Sequence, residues 1–162
     1  EELSSPEFQL NTEGLRIGIY DKQRKCSGPL ANIKSTSANI YVDAARFAAL
    51  QNWDDALVLN EKGHVVEGTA STIFAIKSGY LFTPALSEGP VAGTMRSLLL
   101  QPNDHLSLTP SSGPLKKEVL KEADEIWLCN AIQGVKWVGA FEGKRFKQKY
   151  AQAAVKMLNE ST

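Results

Sequence analysis

Long apolar runs are missing from this sequence, and with them any segment approaching the roughly 18 apolar residues that a membrane-spanning helix needs. Charge of either sign is not in excess, since Lys and Arg together number 18 and so do Asp and Glu. A balanced chain has no broad electrostatic attraction for nucleic acid or for an anionic membrane surface, so the expected partner is a small molecule or another protein. Cysteine is scarce. Cys26 and Cys129 lie far apart without metal-ligand spacing, which argues against a disulfide framework or a zinc site and reads as two reduced thiols. Histidine is equally scarce, and neither His64 nor His105 belongs to a triad or metal set, so both read as surface or turn residues. The opening EELSSPEF lacks the cationic and apolar parts of a secretory signal, and a soluble cytoplasmic protein is the expectation.

What is present is enough chain for one domain with a core, 162 residues. Residues 1–13 are polar, contain a proline and lack an initiator methionine, and read as a linker or the remnant of a preceding domain. Period-two alternation in GLRIGIYD predicts a strand from Gly14 to Asp21, followed by a polar loop, KQRKCSGP. TSANIYVDAARFAALQ predicts a helix whose apolar face holds Ala38, Tyr41, Val42, Ala45 and Ala49, with Thr36 or Ser37 placed to cap it. DALVLN-EKG-HVVEG and STIFAIK-SG-YLFTP read as two hairpins, and DHLSLTP and EIWLCNA as further strands. GVKWVGAFEGKRF is expected to turn at Glu142-Gly143; TMRSLLL, LKKEVLKEA and YAQAAVKML are expected helices. Strands following strands with few helices between predict an α+β fold, a partly closed barrel-like sheet with flanking helices.

Four places have residue types that chemistry uses. Lys34, one of thirteen lysines, follows ANI, read as apolar strand, and precedes the helix; such an approach would desolvate the amine and lower its pKa toward that of a nucleophile or Schiff-base former. Glu67 closes an apolar strand and is followed by Gly68, Thr69, Ala70, Ser71 and Thr72, small residues that leave space beside the carboxylate and hydroxyls to orient a ligand. GPVAGTMR puts Gly93 at a helix start, where N–H groups without intrahelical acceptors suit a phosphate or carboxylate. LCNAIQGV brings Cys129, Asn130 and Ala131 to a strand end, with Cys129 read as a packed thiol for want of a partner base. Each has a bland reading too: a surface lysine, an edge carboxylate, a cap glycine, a strand-end turn.

In this order the four resemble the class IV (fold type IV) pyridoxal-phosphate aminotransferases, the group of branched-chain aminotransferases, D-amino acid aminotransferases and aminodeoxychorismate lyases. The likeness runs from about Gly14 to Phe146 through NIKST, DDALVLNEKGHVVEGTASTIFAIKSGYLFTPAL, GPVAGTMR and ADEIWLCNAIQGVKWV. It implies pyridoxal 5'-phosphate as cofactor and residues 14–162 as its C-terminal binding domain. Lys34 matches the lysine that carries the cofactor aldehyde and shuttles the proton between the substrate α-carbon and the cofactor C4′. Glu67 matches the carboxylate beside the pyridine nitrogen, with Ser71 and Thr72 after it. Gly93, Thr94 and Met95 match the loop whose backbone N–H groups hold the phosphate, and Asn130 and Ala131 a loop near the phosphate and substrate carboxylate.

Departures accompany the likeness. Several relatives carry asparagine where this chain has Thr72 and threonine where it has Met95. They also have an N-terminal domain supplying a phosphate-binding arginine and part of the substrate pocket, and a longer helix after the GTMR-like motif than LLLQPNDHL provides. The activity implied is amino transfer between an amino acid and a 2-oxo acid in a homodimer. The alternatives are elimination of pyruvate by an aminodeoxychorismate lyase and a catalytically inactive domain of the same fold.

Overall fold

The computed structural model describes residues 7–36, 38–102 and 105–160. Nine strands form one sheet: β1 (Leu15–Lys25), β2 (Asp55–Asn60), β3 (Val65–Glu67), β4 (Thr72–Lys77), β5 (Tyr80–Pro84), β6 (Thr109–Gly113), β7 (Glu125–Asn130), β8 (Gly134–Phe141) and β9 (Lys144–Arg145). Four α-helices accompany them: α1 (Asn39–Leu50), α2 (Thr94–Leu99), α3 (Lys117–Glu122) and α4 (Ala151–Glu160). The strand order is β3-β2-β1-β8-β7-β4-β5-β6, with β9 paired to β8. The sheet curls on itself, because Val65 in the edge strand β3 bridges Leu115, just beyond the opposite edge strand β6, and donates its N–H to the Leu115 carbonyl at 2.8 Å. This is the partly closed α+β sheet expected from strand-rich, helix-poor patterning.

Both faces of the central strands are covered, which explains why β4 and β7 are apolar almost throughout. Alternation still sorts their residues: Ile73, Ala75, Ile126 and Leu128 pack inside the curl with Leu57, Val138 and Phe141, while Phe74, Ile76, Trp127 and Cys129 face α2 and α4. Each large aliphatic or aromatic side chain so buried contributes about 1.5–3 kcal/mol of transfer free energy.

The hairpins β2–β3 and β4–β5 form as predicted, the second turning through Ser78 and Gly79, both at positive φ. β8 and β9 turn at Glu142 and Gly143, also both at positive φ. Other expectations are corrected. β1 continues four residues past Asp21, because after a bulge Arg24 and Lys25 still pair with Leu59 and Asn60 of β2, so half of the expected loop is strand. The α1 face that meets β1 and β2 carries Ala44 and Ala48 with Tyr41 and Phe47, while Val42, Ala45 and Ala49 are exposed. A run rich in alanine marks no single stripe, and the large neighbours Tyr20 and Trp53 select one. Thr36 does not cap α1, whose N-cap is Ala38, and Ser37 lies outside the described residues. The strand read in DHLSLTP begins only at Thr109; Ser107 has φ 48°, and Leu106 and Leu108 instead plug the core. Asn103 and Asp104, within the segment read as shortened, lie outside the described residues.

The stretch before β1 is docked. Phe8 packs against the α4 side of the core and donates its N–H to Asn159, and Asn11 accepts from Trp137 N–H at 3.0 Å.

Candidate active site

Glu67 is the fixed point of the site. At the end of β3 it is 5 % exposed, and its carboxylate receives three donors from three parts of the chain. Lys25 Nζ donates to Oε1 at 2.6 Å, Tyr41 OH donates to the same oxygen at 2.7 Å, and the Val91 N–H donates to Oε2 at 2.9 Å. A carboxylate has about four lone-pair sites; one on Oε2 is left for another N–H or O–H. Burial, followed by the charge and hydrogen bond of Glu67, pushes the Tyr41 phenol far above its ordinary pKa of 10.0, so Tyr41 acts as a donor at any physiological pH.

The loop bearing Lys34 is tied to the same place. Asn32 donates its side-chain amide to the Leu86 and Pro90 carbonyls at 2.9 and 2.6 Å and accepts at its own carbonyl from Ala92 N–H at 2.9 Å. Lys25 Nζ also donates to the Ala31 carbonyl at 3.0 Å. Lys34, Glu67 and the segment from Val91 to Met95 are therefore carried by elements that touch one another. The expected apolar approach is corrected: residues 29–33 form turns rather than strand, Leu30 and Ile33 are 80 % and 58 % exposed, and Lys34 itself is exposed with no partner among the described residues. Without β-pairing partners, ANI cannot carry the lysine into a dry cavity.

Gly93 is the N-cap of α2 with φ −73°. Its own N–H is committed to the Val91 carbonyl at 2.9 Å, so the donors left toward a ligand are those of Thr94 and Met95, which have no acceptor among the described residues. Met95 is buried and packs in the core, leaving only its backbone for such a contact. At the next residue, the Arg96 guanidinium is buried, donates to the Pro84 carbonyl at 2.9 Å and has an Nε without a partner among the described residues; burial lowers its proton affinity.

Thr72 joins this group to a second one. It starts β4, pairs with Cys129 of β7, and a Cβ built on Gly93 would stand 3.5 Å from its Oγ1. Beyond it, Ser71 and Asn130 line a cleft of about 280 Å³ with Asp55, Thr69 and Gln133. Ser71 Oγ is taken, donating to Asp55 Oδ2 at 3.0 Å, and Asp55 also accepts from the N–H and hydroxyl of Thr69 at 2.9 and 2.7 Å. Asn130 turns the chain: its Oδ1 accepts from Ile132 and Gln133 N–H, its Nδ2 donates to the Ala70 carbonyl at 3.2 Å, and Ala131 is exposed. A larger cleft of about 350 Å³, between Arg16, Trp53 and Glu142, holds none of the candidate cofactor-binding or catalytic residues. Cys129 is buried, which raises its thiol pKa and removes it as a nucleophile.

The sequence reading missed Lys25, Tyr41, Asn32 and Asp55. Lys25 was placed in a polar loop, and only the continuation of β1 beside β2 shows its direction. His64 is corrected as well: it is partly buried, with Nδ1 2.6 Å from Glu88 Oε2.

Residues 2–140 match the family described as amino-transferase class IV. The chain belongs to this family. Class IV aminotransferases are pyridoxal-phosphate-dependent enzymes. The chain is 33% identical over 128 residues to an aminodeoxychorismate lyase of Vibrio harveyi, covering 75% of this chain and 45% of that protein. It is 29% identical over 107 residues to a putative branched-chain-amino-acid aminotransferase of Methanocaldococcus jannaschii, covering 66% of this chain and 37% of that protein. The crystal structure of a putative 4-amino-4-deoxychorismate lyase from Legionella pneumophila superposes with a TM-score of 0.85 at 25% identity, covering 96% of this chain and 59% of that one. This class IV chain thus spans less than half the length of the two curated relatives.

Proposed function

We propose that the protein containing this chain binds pyridoxal 5'-phosphate and transfers an amino group between an amino acid and a 2-oxo acid. The observation that carries the reading is Glu67: a buried carboxylate, held by three donors, with one acceptor position still open. Pyridoxal phosphate supplies an aldehyde and a ring that withdraws the electron pair left when a substrate α-proton departs. The residues present fit that group. Glu67 would accept the pyridine N–H at its open position and so favour the protonated ring. Thr94 and Met95 would donate their free backbone N–H groups to phosphate oxygens. Lys34 would supply the amine that holds the aldehyde and the base that moves the α-proton. Ser71, Thr72, Asn130 and Ala131 shape the adjoining wall, Ser71 and Asn130 acting through the turns they hold.

Exposed Lys34, with Leu30, Ile33 and Val42 exposed on the same loop-to-helix segment, needs cover from water for this chemistry. A homodimer in a cytoplasmic protein is the assembly proposed to provide it, with residues 14–162 as the cofactor-binding domain. The test is a visible absorbance band when the full-length protein meets pyridoxal phosphate, absent in Lys34→Ala, together with amino transfer from an amino-acid panel to 2-oxoglutarate.

A second reading is favoured by the lyase names of the Vibrio harveyi and Legionella pneumophila proteins: elimination of pyruvate from aminodeoxychorismate on the same residues. Pyruvate released without any amino acceptor selects it over transfer.

A further inference from the structure

We infer that Lys25 is a positioning residue that locks the two arms of the site, the carboxylate of Glu67 and the loop carrying Lys34, into one arrangement. The inference rests on the cofactor reading above and deepens it. Lys25 is the last residue of β1, where register with Asn60 of β2 fixes its backbone. Its side chain is 12 % exposed, unusual for a lysine, and its ammonium makes two contacts of different kinds. One goes to Glu67 Oε1 at 2.6 Å, the other to the Ala31 carbonyl at 3.0 Å. The ammonium also stands 5.5 Å from the centre of the Tyr41 ring, and Tyr41 OH donates to that same Oε1.

The consequence is geometric. With Lys25 and Tyr41 both on Oε1 and Val91 N–H on Oε2, rotation of the carboxylate would break at least one charge-assisted bond, so the open position on Oε2 keeps a fixed direction. Through Ala31 the same ammonium holds the turn that precedes Lys34, a loop whose other side-chain anchor is Asn32. A lysine has three N–H donors, and two are used on the two arms, so one cation sets their separation. Such support of a reacting group by a neighbour that never touches the reactants is worth typically an order of magnitude or more in affinity or rate.

The experiment compares wild type, Lys25→Met and Lys25→Arg in the full-length protein, each first checked for an unchanged far-ultraviolet circular dichroism spectrum. Pyridoxal phosphate is titrated by absorbance, and borohydride reduction followed by peptide mass spectrometry identifies the lysine that carries the cofactor. The expected results are a label on Lys34, roughly tenfold weaker cofactor binding with a displaced absorbance maximum in Lys25→Met, and recovery toward wild type of both in Lys25→Arg, which keeps the charge and has N–H donors for both acceptors. If Lys25→Met fails to fold, Tyr41→Phe, which frees the same Oε1 of one donor, is expected to shift the maximum in the same direction. Wild-type affinity and spectrum in Lys25→Met, an unshifted maximum in Tyr41→Phe, or a label on Lys25 itself overturns the positioning role while the cofactor reading stands. No band and no label in wild type overturns the cofactor reading, and the inference with it.

Discussion

Glu67 is 5 % exposed and held by donors from β1, α1 and the loop before α2, whereas Lys34 is exposed, sits among turns and has no partner among the described residues. The two residues with which the site would act are thus fixed to very different degrees. A carboxylate withdrawn from water is costly unless it is paired and hydrogen-bonded, so the fold must surround Glu67 with donors and thereby orients it. An amine that stays in water needs no such shell. The acidic arm is enclosed by donors from three parts of the chain, and the basic arm stands in solvent.

The contrast is broken most directly by Glu67→Ala. It leaves the Lys25 ammonium largely buried without its counter-charge and Tyr41 without an acceptor, and a loss of about 3 kcal/mol is expected in urea unfolding. A Glu67→Ala protein as stable as wild type would show that the shell is not a structural requirement.

A second buried carboxylate, Glu88, sharpens the same point and adds a pH dependence. Burial alone would raise its pKa, but hydrogen bonds from His64 and Asn60 and the charge of Lys62 outweigh it and hold the pKa below the ordinary 4.5. A group depressed on folding contributes stability that is present above its unfolded value and is lost as pH falls through the folded one. Thermal melts of wild type are therefore expected to fall on acidification below about pH 4.5, more steeply than those of Glu88→Gln. Glu88→Ala should cost about 2 kcal/mol at neutral pH, since it takes the side-chain acceptor from both His64 and the Asn60 amide, leaving the latter only the backbone carbonyl of residue 88.

Tyr41→Phe removes one donor from Glu67 while keeping the ring, and about 1 kcal/mol is expected by the same unfolding measurement. The smallest effects belong to the ligand side. Gly93→Ala should leave stability within about 0.5 kcal/mol, because Gly93 has φ −73° and an added Cβ meets only Thr72 Oγ1 at 3.5 Å. Lys34→Ala should be equally silent in unfolding while abolishing the cofactor absorbance band. A large loss of stability in Lys34→Ala would put the lysine in a structural role and erase the contrast with Glu67.

Much of this architecture was legible in linear sequence. The hairpins at Ser78-Gly79 and Glu142-Gly143 declare themselves because each has Gly at the second turn position, where positive φ carries no Cβ penalty. The near-unbroken apolar runs of β4 and β7 signal strands covered on both faces. The order of Lys34, Glu67 and Gly93 marks a family, and those three do lie on touching elements. Four other readings failed for identifiable reasons. The α1 face differs from the expected one because alanine fits any side of a helix, and ANI makes a turn rather than a strand because it has no pairing partner and its Asn32 amide bonds the Leu86 and Pro90 carbonyls. His64 reads as a surface or turn residue in the sequence, its buried partner Glu88 being 24 residues away. Lys25 was hidden because KQRKCSGP looks like a loop until β2 extends β1 through it.

Sequence by itself determined most of the element types, the hairpin turns and the identity of the chemical groups, since these depend on local sterics, alternation and residue chemistry. Which groups meet was decided only by tertiary structure. The convergence of Lys25, Tyr41 and Val91 on Glu67 joins residues 42, 26 and 24 positions away from it, and the burial of that carboxylate forces them together. No local rule contains that requirement, because the cost of an unpaired buried charge exists only once the sheet has curled around it.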